Sequence, residues 1–449
     1  MMFLRDMGTL RDMINALPGR FSFRHRTRNT VQKQAETSDD SGFSSSSQIS
    51  LPTAPITKFQ KFKLSFRRKK NKKKNNEAYE QTEPELLSYS VLTDEELTAE
   101  IIELKTLSDE LGARSKDGYG PVFNIATKEI EKRLTPQIVA LMLEKFFAPS
   151  FRLPSGINNP SKECFAIATM QALIACPPFI DFVKNGLSYL GNEKPSDRFL
   201  KIHHAVRSLV AKIQAGWSLI YCTELLDLLG FARKTEECAE SFYRALYDAY
   251  LYKAFASPKE IKHWKCLHCG HVKVMEDNHA RLQLAPIKGK DATTNIKMMV
   301  QYKRGQEKLE LRCTQCDQMR VGTLFTTCVL SNIMMISADL LRKTTLFADF
   351  EDTVDMRYLE ETPGTSEWIR GGVVHFEVTR LTKGHYVAAI NKGRQLYLMN
   401  DGKSGSLVRD LKVVSDGHGD PRFAIYWRKN WETWNNGAGL NEGFEDASE

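Results

Sequence analysis

From residue 93 onward the chain carries two apolar patterns, and they fall in separate stretches. Leu97, Ile101, Leu104, Leu107 and Leu111 recur at three- and four-residue intervals, the spacing of one helix face. Thr93 stands ahead of them with Glu96 three residues on, the pair that closes a capping box. A second helix start follows at Thr135-Pro136, with proline at the first helical position and Leu141, Met142 and Phe146 facing inward. FAIATMQALIA, residues 165–175, is apolar around its whole circumference and predicts a buried helix closing at Pro177-Pro178. Past about residue 324 the period shortens. VLSNIMMIS, GVVHFEV, YVAAI, QLYLM and FAIYW are short runs of β-branched and aromatic residues and predict strands. Helices to about residue 256 and strands after about 324 predict an α+β fold.

The first ninety residues are patterned differently. Phe3, Leu4, Met7, Leu10, Ile14 and Leu17 sit at near-helical spacing around Arg5 and Arg11, as in a short amphipathic leader. Asp6 and Asp12 count against both a mitochondrial presequence and a secretory signal. Residues 33–57 are rich in Ser, Thr, Asp and Gln and read as disordered. In FQKFKLSFRRKKNKKKNN, residues 59–76, aromatic residues alternate with lysines before a basic run from Arg67 to Lys74. Three readings stand for residues 58–76: an importin-read nuclear signal, contact with an anionic membrane, or a solvated linker. In composition the segment resembles phosphorylation-controlled membrane effector segments, with Ser65 as the switch. The resulting layout is a disordered basic region over 1–90, a helical element over 91–149, a main domain over 150–430 and a flexible tail over 431–449.

Composition sharpens this picture in three ways. An apolar content of 42% in 449 residues is enough for a globular core. Residues 1–90 hold 17 Lys and Arg against 9 Asp and Glu, which accounts for the whole net charge of +8. The remainder is balanced, so no nucleic acid is expected on the main domain. Nine cysteines, an odd number without a secretory signal, point to a reducing intracellular compartment, cytoplasm or nucleus. No segment approaches the roughly 20 apolar residues of a membrane-spanning helix.

The candidate chemistry lies in two distant segments. Cys164 follows loop residues Gly156 to Ser161 and opens the apolar helix, where the partial positive charge of a helix N-terminus favours a thiolate. His385, in Gly384-His385-Tyr386, is the candidate proton acceptor; Gly384 permits a turn or a close backbone approach. His375 has a similar apolar setting without the glycine and serves as a comparison. Asn400 and Asp401 end the run QLYLM, where a polar pair can orient an imidazole. Asn159 and the Cys164 backbone N–H are candidate oxyanion donors. Separately, Cys266, Cys269, Cys313 and Cys316 form two Cys-x-x-Cys pairs 43 residues apart. Two such pairs can wrap one tetrahedral zinc; redox-active or free thiol pairs are the other reading.

GINNPSKECFAIATMQALI resembles the cysteine box of the ubiquitin-specific proteases, with Gly156, Asn159, Cys164, Phe165, Gln171 and Leu173 in register. GHYVAAI and LYLMNDGKS resemble the histidine box through Gly384, His385, Tyr386, Ala388, Tyr397, Asn400 and Asp401. EECAESFYRAL is similar to an intervening family helix through Glu237, Glu240 and Phe242. The resemblance implies a papain-like cysteine protease fold of thumb, palm and fingers. It assigns Cys164 as nucleophile, His385 as base, Asn400 as its orienter, Asp401 behind it and Asn159 as oxyanion donor. It implies a structural zinc in a ribbon over about 262–320. The implied reaction is hydrolysis after the C-terminal glycine of ubiquitin, with ubiquitin and ubiquitinated proteins as partners. Ser161, Lys162 and Glu163 depart from the pattern before the cysteine, as do Ile167, Ala168, Leu396 and Met399 elsewhere. Those departures feed a second expectation, a catalytically impaired ubiquitin-binding scaffold on the same fold.

Overall fold

The structure is a computed structural model. It describes residues 93–432 except 115–120, 146–153, 233–234, 256–257, 279–281, 285–293, 296–306, 339–347, 358, 360–366 and 381–382. The N-terminal leader, the segment 33–57, the basic segment 58–76, Phe146 and the tail beyond 432 lie outside the described residues.

Among the described residues three helices come first: α1 (Asp94–Arg114), α2 (Pro121–Arg133) and α3 (Pro136–Lys145). The capping box at the start of α1 forms as its sequence requires. The Thr93 N–H donates to Glu96 Oε2 at 2.8 Å, and the Glu96 N–H donates to Thr93 Oγ1 at 3.3 Å. Ile101, Leu104, Leu107 and Leu111 are all buried, so the stripe faces the core. Thr135 accepts from the Ile138 N–H at 3.4 Å, and Pro136 opens α3.

A helical layer follows: α4 (Cys164–Ile174), α5 (Pro177–Asn185), α6 (Asp197–Ala215), α7 (Thr223–Leu229) and α8 (Ala239–Ala249). Every residue of α4 from Cys164 to Leu173 is buried, which is why its sequence shows no polar face. The Pro177-Pro178 pair starts α5 as well as ending α4. Ser196 caps α6 by accepting from the Phe199 N–H at 3.2 Å, and Gly216 ends it at φ 68°. The first three helices are tied to this layer. Lys212 of α6, only 3% exposed, puts its ammonium 2.5 Å from the Glu131 carboxylate of α2. Asp109 of α1 accepts from both the N–H and the hydroxyl of Ser218.

The strands are β1 (Lys259–Cys266), β2 (Val272–Asn278), β3 (Leu282–Leu284), β4 (Thr294–Asn295), β5 (Glu307–Cys313), β6 (Gln318–Val329), β7 (Ile333–Ala338), β8 (Ala348–Asp349), β9 (Thr353–Asp355), β10 (Glu367–Arg380), β11 (Lys383–Lys392), β12 (Gln395–Met399), β13 (Ser406–Val408) and β14 (Asp420–Arg428), with α9 (Leu411–His418) between the last two. One sheet runs β13-β12-β11-β10-β14-β7-β3, with β9 also paired to β10. A second runs β2-β1-β6-β5, and β4 pairs with β8 in parallel.

Adjacent residues of the central strands serve different cores. Val374, Ala388 and Ile425 join the cluster that contains α4, whereas Val373, Ala389 and Ala424 join the cluster with Leu411 and Val414 of α9. The pleat sends successive side chains to opposite faces, and both faces are covered. That explains why GVVHF, YVAAI and FAIYW read as unbroken apolar runs rather than as alternation. Among the described residues no single helix is long and apolar enough to cross a membrane.

Candidate active site and cysteine cluster

Cys164 is the first residue of α4, and its side chain is buried at the junction of the preceding loop and the sheet. Phe165 fixes the helix start by packing against Phe231 and edge-on against Phe242 of α8, with centroids 5.6 and 6.0 Å away. His385 lies on β11, opposite Glu377 of β10. Gly384 before it is needed for close approach: a methyl group there would lie 2.1 Å from the ring of Phe376.

The fold brings the two segments together. The helix α4 that Cys164 opens packs against β11, and Cys164 is the largest of the influences that raise the His385 imidazole to about 9. Burial opposes the shift, while Asn400 and the charge of Asp401 add to it. His385 Nε2 lies 2.9 Å from Asn400 Oδ1. An amide oxygen only accepts, so Nε2 carries a proton and Nδ1 is left for the sulfur.

Asn400 and Asp401 follow β12 in a turn in which Asp401 takes a left-handed φ of 50°. Asp401 Oδ2 stands 3.8 Å from His385 Nε2 and accepts from Asn159 Nδ2 at 3.2 Å. Its Oδ1 is buried without a hydrogen bond. Burial raises the Asp401 carboxyl, against the pull of His385, Asn159 and Lys403. Asn159 is thus engaged at both ends, since its Oδ1 accepts from the Glu163 N–H at 2.9 Å. His375 is elsewhere: its Nδ1 lies 3.1 Å from the Gly419 carbonyl, and burial pushes its ring down to about 4.

The loop before Cys164 is locked to the turn after β12. Gln171 Nε2 donates to the Ser155 carbonyl at 3.1 Å, and the Gly405 N–H donates to the Pro154 carbonyl at 2.9 Å. A methyl group on Gly156 would lie 2.2 Å from the Asp401 carbonyl oxygen and 2.3 Å from that of Lys403. Neither backbone atom can swing aside as a side chain would. Gly156→Ala is therefore expected to part the two segments and lower turnover by about 10- to 100-fold, the cost of misplacing reacting groups by roughly an ångström. Steady-state kinetics alongside a melting curve check it.

Glu163 marks itself in the sequence only as a departure from the family pattern, and nothing there singles out Cys222 and Thr223. The structure buries Glu163 and places its carboxylate on both of them. Nothing local announces this, because a glutamate between a polar loop and a helix ordinarily faces water.

The four cysteines of the two pairs converge at one end of the second sheet. Cys266 ends β1 and Cys313 ends β5, and Cys269 and Cys316 lie in the turns that lead to β2 and β6. The ribbon strands run from Lys259 to Val329, wider than 262–320. The long gap between the pairs has a simple cause: after β2 the chain leaves the ribbon, adds β3 to the large sheet and returns as β5. The four sulfurs all lie within 4.8 Å of one another, Cys269 and Cys313 at 3.6 Å, and all nine cysteines are free thiols. A tetrahedron of thiolates around zinc has edges of about 3.8 Å, given Zn–S bonds of about 2.3 Å, so this donor set fits the metal.

The profile of the family described as ubiquitin carboxyl-terminal hydrolase matches residues 155–416. The chain therefore belongs to that family, and by that membership it is a deubiquitinating protease. No curated protein matches it. Among solved structures it is similar to the SAGA Ubp8/Sgf11/Sus1/Sgf73 DUB module bound to ubiquitin aldehyde. Identity there is 17%, over 69% of this chain and 76% of that one, with a TM-score of 0.49. The helices α1 to α3 lie ahead of the family match.

Proposed function

We propose that this chain is a thiol-dependent ubiquitinyl hydrolase on a papain-like fold, with Cys164 as nucleophile and His385 as general base. One observation carries the reading: His385, on the strand β11 against which the Cys164 helix packs, bonds the Asn400 amide oxygen through Nε2, and Cys164 is the strongest support of its protonated form. In that arrangement His385 Nδ1 takes the thiol proton, and the imidazolium is a counter-charge for the thiolate. The sulfur attacks the carbonyl carbon of ubiquitin's terminal glycine. The oxyanion so formed is held by donors at the start of α4, the Cys164 N–H among them, with Asn159 supplying an amide once substrate competes with Asp401 for it. His385 passes its proton to the leaving lysine or α-amine, and the C–N bond breaks to give a thioester. Water, deprotonated by His385, then attacks the thioester, releasing the ubiquitin carboxylate and restoring the thiol. Asn400 keeps the ring turned and protonated at Nε2, and Asp401 stands behind as a weaker acceptor.

Cys266, Cys269, Cys313 and Cys316 would hold a structural zinc that ties the strand tips of a fingers-like ribbon together. Ubiquitin and ubiquitinated proteins are the proposed partners. The impaired-scaffold reading is not favoured, since the chain belongs to a hydrolase family and keeps the thiol, the imidazole and the amide that orients it. Ubiquitin carrying a C-terminal electrophile tests the reading: a covalent adduct is expected with the wild type and none with Cys164→Ala. Absence of the adduct in the wild type, or its persistence in the variant, refutes it.

The basic segment 58–76 is proposed to set location, in cytoplasm or nucleus, through importin or an anionic membrane surface. Its deletion is expected to move the protein within the cell while leaving hydrolysis in vitro within about twofold, because its charge lies outside the family match. Imaging of a tagged deletion beside a turnover assay checks both halves.

A further inference from the structure

Glu163 is an unusual neighbour for the sulfur. It is 3% exposed, and Lys162 before it is held at φ 57°, a left-handed conformation that lysine adopts only under constraint. It occupies the N-cap position of α4 but does not use its side chain to cap the helix. The carboxylate turns toward the start of α7 instead. There Thr223 Oγ1 lies 3.2 Å from each carboxylate oxygen, and Cys222 Sγ lies 3.7 Å from Oε2. Burial above all, and then the Glu163 charge and hydrogen bond, hold the Cys222 thiol well above its ordinary range, so it remains a donor.

The backbone of the same residue reaches three further places. Its N–H donates to Asn159 Oδ1 at 2.9 Å, which leaves the Asn159 nitrogen pointing at Asp401. Its carbonyl accepts from the N–H groups of Ala166 and Ile167, both at 3.0 Å, and so closes the first turn of the helix that carries the sulfur. A second rail runs alongside: the Asn158 N–H donates to the Ile220 carbonyl at 2.7 Å, and the Ile220 N–H donates to Asn158 Oδ1 at 2.8 Å. The segment 220–223 thus grips the loop 158–163 at both ends. Stripping water from a carboxylate is costly, and such groups persist where hydrogen bonds hold them.

We propose that Glu163 is a positioning residue, which keeps the Cys164 sulfur and the Asn159 amide in register through its side-chain hydrogen bonds to Thr223 and Cys222. The proposal rests on the reading of Cys164 as the nucleophile, and it adds a role to a position where the chain departs from the pattern it resembles.

The test uses the full-length chain and a ubiquitin–fluorophore substrate. Glu163→Ala is expected to lower kcat by about 10- to 100-fold, with KM within about twofold, because the fault lies in the alignment of reacting groups rather than in binding. Glu163→Gln keeps an acceptor for Thr223 and is expected to restore kcat to within about threefold of wild type. Thr223→Val, which removes the partner and leaves Glu163 in place, should show part of the Glu163→Ala loss in kcat and guards against a Glu163→Ala chain that does not fold. A wild-type kcat in both Glu163→Ala and Thr223→Val overturns the proposal. So does a loss carried by KM, or a Glu163→Gln as impaired as Glu163→Ala, which would make charge rather than hydrogen bonding the cause. Cys164→Ala run in parallel separates the two readings: if it retains turnover, the nucleophile assignment fails and the fault is not in Glu163.

Discussion

His385→Ala is expected to lower kcat/KM on a ubiquitin–fluorophore substrate by about 10²- to 10⁴-fold, the range for a lost general acid–base. The geometry gives the variant no substitute, because Asn400 and Asp401 face the far nitrogen of the ring and not the sulfur. His375→Ala is the matched control. That ring is buried and neutral and bonded to the Gly419 carbonyl, so its loss acts on stability and spares the kcat of the folded chain. Asn400→Ala is expected to cost less than His385→Ala, since Asp401 Oδ2 is 3.8 Å from the same nitrogen and can take its place.

The pH profile carries a sign that separates these roles. The His385 ring is held at about 9, first by Cys164 and then by Asn400 and Asp401, against the effect of burial. The imidazolium therefore persists through neutrality, and activity is expected to fall on the alkaline side as the ring loses its proton. Asn400→Ala removes a hydrogen bond to the protonated ring, so the alkaline limb should move to lower pH. A limb that moves upward or stays in place would mean that Asn400 does not act through the ring. Stability follows the same linkage. A ring whose folded pKa exceeds its unfolded value of roughly 6.5 contributes fully below that value, and the contribution fades as pH rises through about 9.

Much of this was legible in the chain because the elements involved are locally specified. The Thr93–Glu96 box and the leucine stripe need only α1 itself, and α4 is announced by its uninterrupted apolar run. The candidate site was legible for a different reason: Cys164, His385 and Asn400 each stand near a glycine or in a turn, and those residues leave marks in the sequence. Strand order was not legible. The last strand, β14, inserts between β10 and β7, a choice made by shape across the whole sheet and not by any one segment. The helix α9 was missed because Val413 and Val414 suit strands as well as helices; Asp410, which accepts from the Val413 N–H at 2.9 Å, was the available signal. The engagement of Asn159 with Asp401 was hidden too, since the two are joined only when the turn after β12 closes over Gly156.

The largest structural effect is expected at the four cysteines. Cys313→Ala should yield a chain with one zinc fewer by metal analysis, together with loss of amide protection across β1, β2, β5 and β6. The cysteine-bearing end of the ribbon has little else buried. Its buried cluster consists of Trp264, Cys266 and Cys313, with Met275, Leu311, Cys316 and Leu324 only partly covered. Two of those three buried residues are proposed ligands, so losing the metal also loosens the core. Structural zinc sites contribute on the order of 10 kcal/mol or more of apparent binding energy, which in a sheet this thin is folding energy. Trp264 supplies a local report. Its indole donates to the Leu309 carbonyl at 2.9 Å and lies over Gly322, where a methyl group would come within 2.2 Å. Opening the ribbon should expose the indole and shift its emission to the red. Cys328→Ala, another buried cysteine outside the cluster, is expected to keep both the metal and the protection. A chelator should reproduce the Cys313→Ala pattern in the wild-type chain, and added zinc should reverse it there but not in the variant. Zinc retained by Cys313→Ala, or a ribbon equally protected with and without the metal, would return the four thiols to the redox or free-thiol reading.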